Sequence, residues 1–407
     1  MTREVAVQDE AARGLPGEVF QAFLKLGVTS FGGPIAHLGY FRDELVVRRR
    51  WIDEAGYADL VALCQFLPGP ASSQVGFALG LLRAGALGAL AAWSAFTLPS
   101  ALILLTFAFG ATAFEGPIGT GLIHGLKVVA VAVVAQAVWG MARTLCPDRA
   151  RASIAVAAVL VVAFVAGSLG QIGAIVFGAV AGLWLCRGIP ASTVGHLSFP
   201  VSPAAGAACL TAFGVLLLFL PLAAAALDSQ GLALFDSFYR AGALVFGGGH
   251  VVLPLLRAEV VQPGWVTTDA FLAGYGAAQA VPGPLFTFAA YLGAVVGPEP
   301  NGLAGATIGL IGVFLPGLLL VVGALPFWDA LRMRPLAQAA MRGANAAVVG
   351  ILGAALYHPV WTSAIVSPYD FALALVGFVL LTVWGTPPWM VVALTAAGGA
   401  GLAVWSQ

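Results

Sequence analysis

CQFLPGPASSQ, residues 64–74, interrupts an apolar stretch with Pro68, Gly69 and Pro70 and follows the break with Ser72, Ser73 and Gln74. Pro-Gly-Pro cannot continue a helix, so one helix ends here and another begins beyond it. The device returns 214 residues later, where Gln279, Pro282, Gly283 and Pro284 line up with Gln65, Pro68, Gly69 and Pro70. Composition identifies the solvent around both breaks. Hydrophobic residues fill 60% of 407 positions and charged residues only 9%, against about 25% charged in a soluble domain. A polytopic membrane protein partnered by the lipid bilayer is expected, and a helix break used twice in such a chain suggests a transport site.

Working outward from the two breaks, an internal repeat emerges. At an offset of 215, Phe20, Phe23, Gly27, Phe31, Gly32, Gly33, Leu38 and Glu44 match Phe235, Phe238, Gly242, Phe246, Gly247, Gly248, Leu253 and Glu259. After a one-residue deletion Trp51 matches Trp265, and after a small insertion Gly85, Gly88, Leu98 and Pro99 match Gly302, Gly305, Leu315 and Pro316. Gly125 matches Gly343. The expected organisation is a polar segment at 1–14, a first repeat over 15–187, a linker with one connecting helix over 188–230, and a second repeat over 231–407.

Basic residues set membrane topology, because cytoplasmic loops are enriched in Lys and Arg. In copy one the loop with Arg42, Arg48, Arg49 and Arg50 is basic, the loop near Glu115 is not, and the loop with Arg143, Arg149 and Arg151 is basic again. Copy two reverses the order, with Arg332 and Arg334 in its middle loop and no base between Tyr357 and Pro368. This reversal predicts an all-α fold of two inverted repeats. A full span needs about 20 apolar residues, and nine segments qualify: 85–110, 117–141, 150–167, 171–187, 205–226, 302–326, 338–357, 365–384 and 389–405. The arginine pattern holds only if 57–83 enters and returns, with Pro-Gly-Pro at its tip, and 14–47 does likewise about Phe31–Pro34. Copy two repeats both re-entrant hairpins from the other side, and the four broken tips are expected to converge.

A helix starting at membrane depth presents unpaired N–H groups and partial positive charge, so an anion is its natural occupant. The helix after Pro70 adds Ser72, Ser73 and Gln74 as hydroxyl and amide donors, and Thr287 aligns with Ser73. Gly32, Gly33, Gly69, Gly247, Gly248 and Gly283 would let backbone N–H groups approach a ligand. The structural alternative is that glycine and proline serve as packing contacts and kinks, and that the serine hydroxyls bond back to their own helix. Ionisable groups in apolar sequence are functional candidates. Lys25 precedes Gly32 by seven residues and Arg240 precedes Gly247 by the same distance, so both are candidates for drawing in an anion, snorkelling being the alternative. Lys127 is a third candidate, although Asn345 replaces it in copy two. Glu44, Glu259, His37 and His250 are candidates for proton coupling; for Glu44 a helical pair with Arg48 is favoured. Arg83 and Arg257 read as loop anchors.

Other classes find little support. Net charge is zero, with no basic run interleaved with aromatics, so no nucleic-acid partner is expected. Cys64, Cys146, Cys186 and Cys209 form no CxxC pair, and no His, Cys or carboxylate cluster has ligand spacing, so no metal and no cofactor is expected. No nucleotide-binding or hydrolase motif appears, so the chain is not expected to be an enzyme or an ATP-driven pump. The acidic N-terminus predicts no cleavable signal peptide. The sequence leaves open whether copies form a homo-oligomer.

FLKLGVTSFGGPIAHLGYFRDE, LPGPASSQVGFALG and GLKVVAVAVVAQAV in copy one, with FGGGHVVLPLLRAEVV, GAAQAVPGPLFTFAAYLGAVVG and FLPGLLL in copy two, resemble the chromate ion transporter family in its long, two-domain form. The resemblance covers essentially the whole chain; within it Gly249 replaces Pro34 and Asn345 replaces Lys127. It implies a bacterial inner-membrane exporter of chromate, a tetrahedral dianion shaped like sulfate; for two inverted repeats, rocking of one against the other would alternate access. Sulfate or another oxyanion as substrate, a channel, and a membrane-embedded chromate reductase are the competing readings.

Overall fold

The computed structural model describes residues 14–110, 116–165, 167–187, 199–246 and 248–405. The N-terminal segment through residue 13, the start of the linker, Glu115 and Gly247 lie outside the described residues. All regular elements among the described residues are helical. Copy one runs α1 Pro16–Thr29, α2 Gly33–Phe41 with a π turn Arg42–Arg48, α3 Glu54–Phe66, α4 Ala71–Gly110, α5 Gly116–Leu145, α6 Arg149–Phe164 and α7 Ser168–Leu185. A connecting helix α8, Pro203–Leu227, leads to copy two. There follow α9 Gln230–Ala243, α10 Val252–Leu256 with a π turn Arg257–Val261, α11 Thr268–Ala280, α12 Phe288–Val295 and α13 Gly302–Ala324. The chain closes with α14 Pro335–Ala355, α15 Pro368–Thr382 and α16 Pro388–Trp405.

The second copy repeats the first element for element. Its α12 and α13 correspond to the two halves of α4, whose backbone leaves the helical region at Ala84 and Gly85. Local sequence explains the boundaries. Asp53 caps α3 by accepting from the Gly56 N–H at 2.8 Å, and the aligned Thr267 caps α11 by accepting from Ala270. Asp148 caps α6, and its hydrogen bonds and ion pair with Arg151 hold its carboxyl below the usual carboxylate range. Prolines open α1, α8, α14 and α15, where a missing N–H costs nothing.

Both expected hairpins are present in each copy. The arms are short: α1 has 14 residues and α3 has 13, about 20 Å of helix each, less than a bilayer core of about 30 Å. Among the described residues, seven helices are long and apolar enough to cross a membrane. Of the nine expected crossings, α6 and α15 fall short of that length, at 16 and 15 residues. The α8 helix buries almost nothing: Leu218, Phe219, Leu222 and Leu227 are all exposed, as a lipid-facing helix requires.

The copies are interlocked. Helix α5 of copy one packs on α15 and α16 of copy two, while its counterpart α14 packs on α6 and α7 of copy one. Small residues set these crossings, as in other membrane helix pairs. A Cβ on Gly125 would overlap the Thr395 carbonyl in the first crossing, and one on Gly182 would overlap the Ala339 carbonyl in the second. Each copy therefore lends its last two helices to the other, and the repeats cannot rock past one another as rigid units.

Candidate functional site

The four hairpin tips meet, and they do so reciprocally. The Gly69 N–H donates to the Val245 carbonyl at 2.7 Å, and the Gly283 N–H donates to the Ser30 carbonyl at 2.9 Å. Gly69 aligns with Gly283 and Ser30 with Val245, so one contact is the other with the copies exchanged. Such isologous contacts require an approximate two-fold axis. Pro34 and Gly249, aligned with each other, meet at the same place. Gly69 and Gly283 have φ of 124° and 95°, a region that favours glycine. Their N–H groups, expected to face an anion, are engaged by the opposite repeat instead.

The helix starts beyond the tips are unequal. In copy one Ser72, Ser73 and Gln74 are all buried. Ser72 Oγ lies 3.3 Å from His37 Nδ1, and Gln74 Nε2 bridges the Pro68 and Gly317 carbonyls at 3.0 and 2.9 Å. The Ser73 hydroxyl and Gln74 Oε1 have no hydrogen-bond partner among the described residues. In copy two the start is a tight turn over Leu285–Thr287, and the Thr287 hydroxyl donates to the Pro284 carbonyl at 2.7 Å. Thr287 is thus turned back onto its own backbone, whereas the Ser73 hydroxyl has no such partner among the described residues.

Further buried groups gather on the copy-one side. His37 is 1% exposed, its ring edge-on to Phe96, with the Ser30 backbone beside it and Nε2 unpartnered. The hydroxyls of Ser30 and Thr97 are also buried without partners among the described residues, and Ser100 stands next to Gly283. Ser30, Thr97 and Ser100 are absent from the sequence-derived set. The signal was in the alignment of the copies: Ser30, His37, Ser72, Gln74, Thr97 and Ser100 face Val245, Val252, Phe286, Phe288, Phe314 and Gly317. One copy keeps the polar column and the other fills it.

Gly32 and Gly33 have φ of 99° and 79° and break the chain between α1 and α2; Gly248, at 149°, does so in copy two. The space beside Gly33 is open. The cations are neutralised in matched fashion. Lys25 Nζ lies 2.7 Å from Glu44, and Arg240 lies 3.2 Å from Glu259. Glu44 also holds Arg48 and Arg49 at 2.9 and 2.8 Å, while Arg240 also holds Asp236 at 2.6 Å and Glu259 accepts from Ser168 at 2.7 Å. Both glutamates are buried on π turns. Lys127 pairs with Asp269 at 2.7 Å, away from the tips, and His250 bonds the Tyr275 hydroxyl at 2.8 Å. Among the described residues no group of three His, Cys, Asp or Glu side chains could hold a metal ion.

The fold and site define a class: an all-α, multi-pass membrane protein of two interlocked repeats whose broken helices meet at a buried polar centre. The chromate transporter family model matches residues 17–183 and again 232–402, one match per copy, and the chain belongs to that family. It is 30% identical to the chromate transport protein of Pseudomonas aeruginosa, over 95% of this chain and 92% of that one. A probable chromate transport protein of Synechococcus elongatus is 28% identical over 83% of each chain. The chromate transport protein of Cupriavidus metallidurans is 27% identical over 82% of this chain and 80% of its own. No solved structure matches.

Proposed function

We propose that the protein is a secondary transporter that exports chromate across a bacterial inner membrane, driven by the membrane potential or a proton gradient. The observation that carries this reading is the set of buried hydroxyls of copy one beside the crossed tips, those of Ser73, Ser30 and Thr97, which have no partner among the described residues, with His37 next to them. A small tetrahedral oxyanion needs several convergent neutral donors and must also leave, so hydroxyls, amides and backbone N–H groups suit it better than fixed cations. Lys25 and Arg240, each held by a glutamate, draw the anion toward the tips while remaining compensated.

Export follows the field. With the interior negative, moving two negative charges outward gains about 4.6 kcal/mol per 100 mV, twice the single-charge figure. The reversal of arginine bias supports an axis lying in the membrane plane, which makes the repeats inverted. Because the copies are interlocked, alternating access is assigned to the hairpins moving as a group against the frame of α5–α7 and α14–α16.

Everted membrane vesicles energised by respiration test the reading: they should accumulate radiolabelled chromate above a vector control, and equal uptake in both would refute it. Sulfate shares the charge and shape of chromate, so strong competition by sulfate at low excess would reassign the substrate within the same site.

A further inference from the structure

Arg42 and Arg257 occupy the same position in the two copies, yet only one has acidic partners. Arg42 lies 2.5 Å from Glu54 and 3.7 Å from Asp43. In copy two these acids are replaced by Thr268 and Ala258. Arg257 accordingly has no ion pair among the described residues, and its Nε is buried without a hydrogen-bond partner. The nearest acid in sequence, Glu259, is turned onto Arg240 at 3.2 Å and Ser168 at 2.7 Å. A half-buried cation left uncompensated is costly, and an anion from outside the chain is the remaining way to compensate it.

The space for such an anion is present. Arg257 lines a cavity of about 570 Å³ between the end of α6, the start of α7, α10 and the end of α14, within the range of about 300–1,000 Å³ for small-ligand sites. Its other polar lining residues are Gln171, Gln262, Tyr357 and His358, and it has no carboxylate. Gln171 Nε2 is held by the Pro254 carbonyl at 2.9 Å, which fixes this wall, while Gln262, Tyr357 and His358 are exposed at the mouth.

We propose that this cavity is a second anion site, separate from the hairpin tips, in which Arg257 receives a tetrahedral oxyanion group, either a free ion or the phosphate of a lipid. Planar guanidinium donors match two oxygens of such a group at once.

Gln262→Cys places a thiol at the mouth, and its modification by an anionic thiol reagent is measured above the background of the native cysteines, of which Cys64 and Cys186 are buried. In phosphatidylcholine nanodiscs, added sulfate should slow modification if the occupant is a free ion. In nanodiscs containing phosphatidylglycerol, slowing without sulfate that is lost in Arg257→Gln identifies the phosphate of an anionic lipid, whereas slowing that persists in this variant is repulsion of the reagent by the lipid surface and counts against a lipid occupant. Arg257→Gln should raise the protecting concentration by about tenfold or more, since the charge-assisted hydrogen bonds of the guanidinium are lost. Thr268→Glu, which restores the acid found in copy one and keeps the arginine, should do the same, so a folding defect of one variant does not decide the result. Modification rates indifferent to sulfate and to phosphatidylglycerol, or protection unchanged by both substitutions, would overturn the proposal. The readout is local, so it stands apart from whether chromate is transported.

Discussion

Gly249 stands against Pro34, the residue it aligns with, so closely that a Cβ on Gly249 would come within 3.0 Å of Pro34 Cγ. Two prolines do not fit where the two-fold relation brings this position face to face. The departure between the copies therefore has a steric cause. Gly249→Pro should yield aggregated protein, and adding Pro34→Gly should restore a monodisperse peak in size-exclusion chromatography.

Ser73 and Thr287 separate binding from structure. Ser73→Ala should lower chromate uptake in everted vesicles about tenfold, as expected for one lost hydrogen bond to a charged group. Thr287→Ala removes a hydrogen bond internal to the chain and should cost about 1 kcal/mol of stability with uptake nearly unchanged. Comparing uptake with thermal unfolding in detergent for both variants checks the contrast.

The matched ion pairs should respond unequally. Lys25 is half exposed, and Glu44 retains Arg48 and Arg49 without it, so Lys25→Ala should cost about 1 kcal/mol or less. Arg240→Ala leaves Glu259 and Asp236 both buried without their cation, a loss of about 3 kcal/mol. Thermal unfolding of the two variants measures the difference.

Close helix crossings leave no room for a side chain at Gly125 or Gly182. Gly125→Leu and Gly182→Leu should each abolish folded protein, since overpacking here pushes on backbone rather than on a movable side chain. By contrast Gly33→Leu meets open space, but its φ of 79° strains any substituent; it should remain partly folded, as limited proteolysis would report.

Much of the architecture was legible because glycine and proline positions are backbone statements. Pro-Gly-Pro and Phe31–Pro34 announced their breaks, and the register between copies announced the duplication. The site was legible only in part. That Gly69 and Gly283 give their N–H groups to the opposite copy depends on how the copies dock, which no local pattern encodes. The pairing of Lys25 with Glu44 spans 19 residues across a helix break, so helical spacing pointed to Arg48 alone. Ser30, Thr97 and Ser100 were overlooked because single polar residues in apolar helices carry no motif. They stand out only against the apolar residues that replace them in copy two.

A single copy expressed alone would expose the faces of α5 or α14 that its sibling now covers, along with half of each tip contact. A chain of one copy could bury those faces by pairing with a second identical chain about the same two-fold axis. Holding both copies in one chain keeps the partner in place and lets the two halves differ, one carrying polar side chains where the other carries phenylalanine.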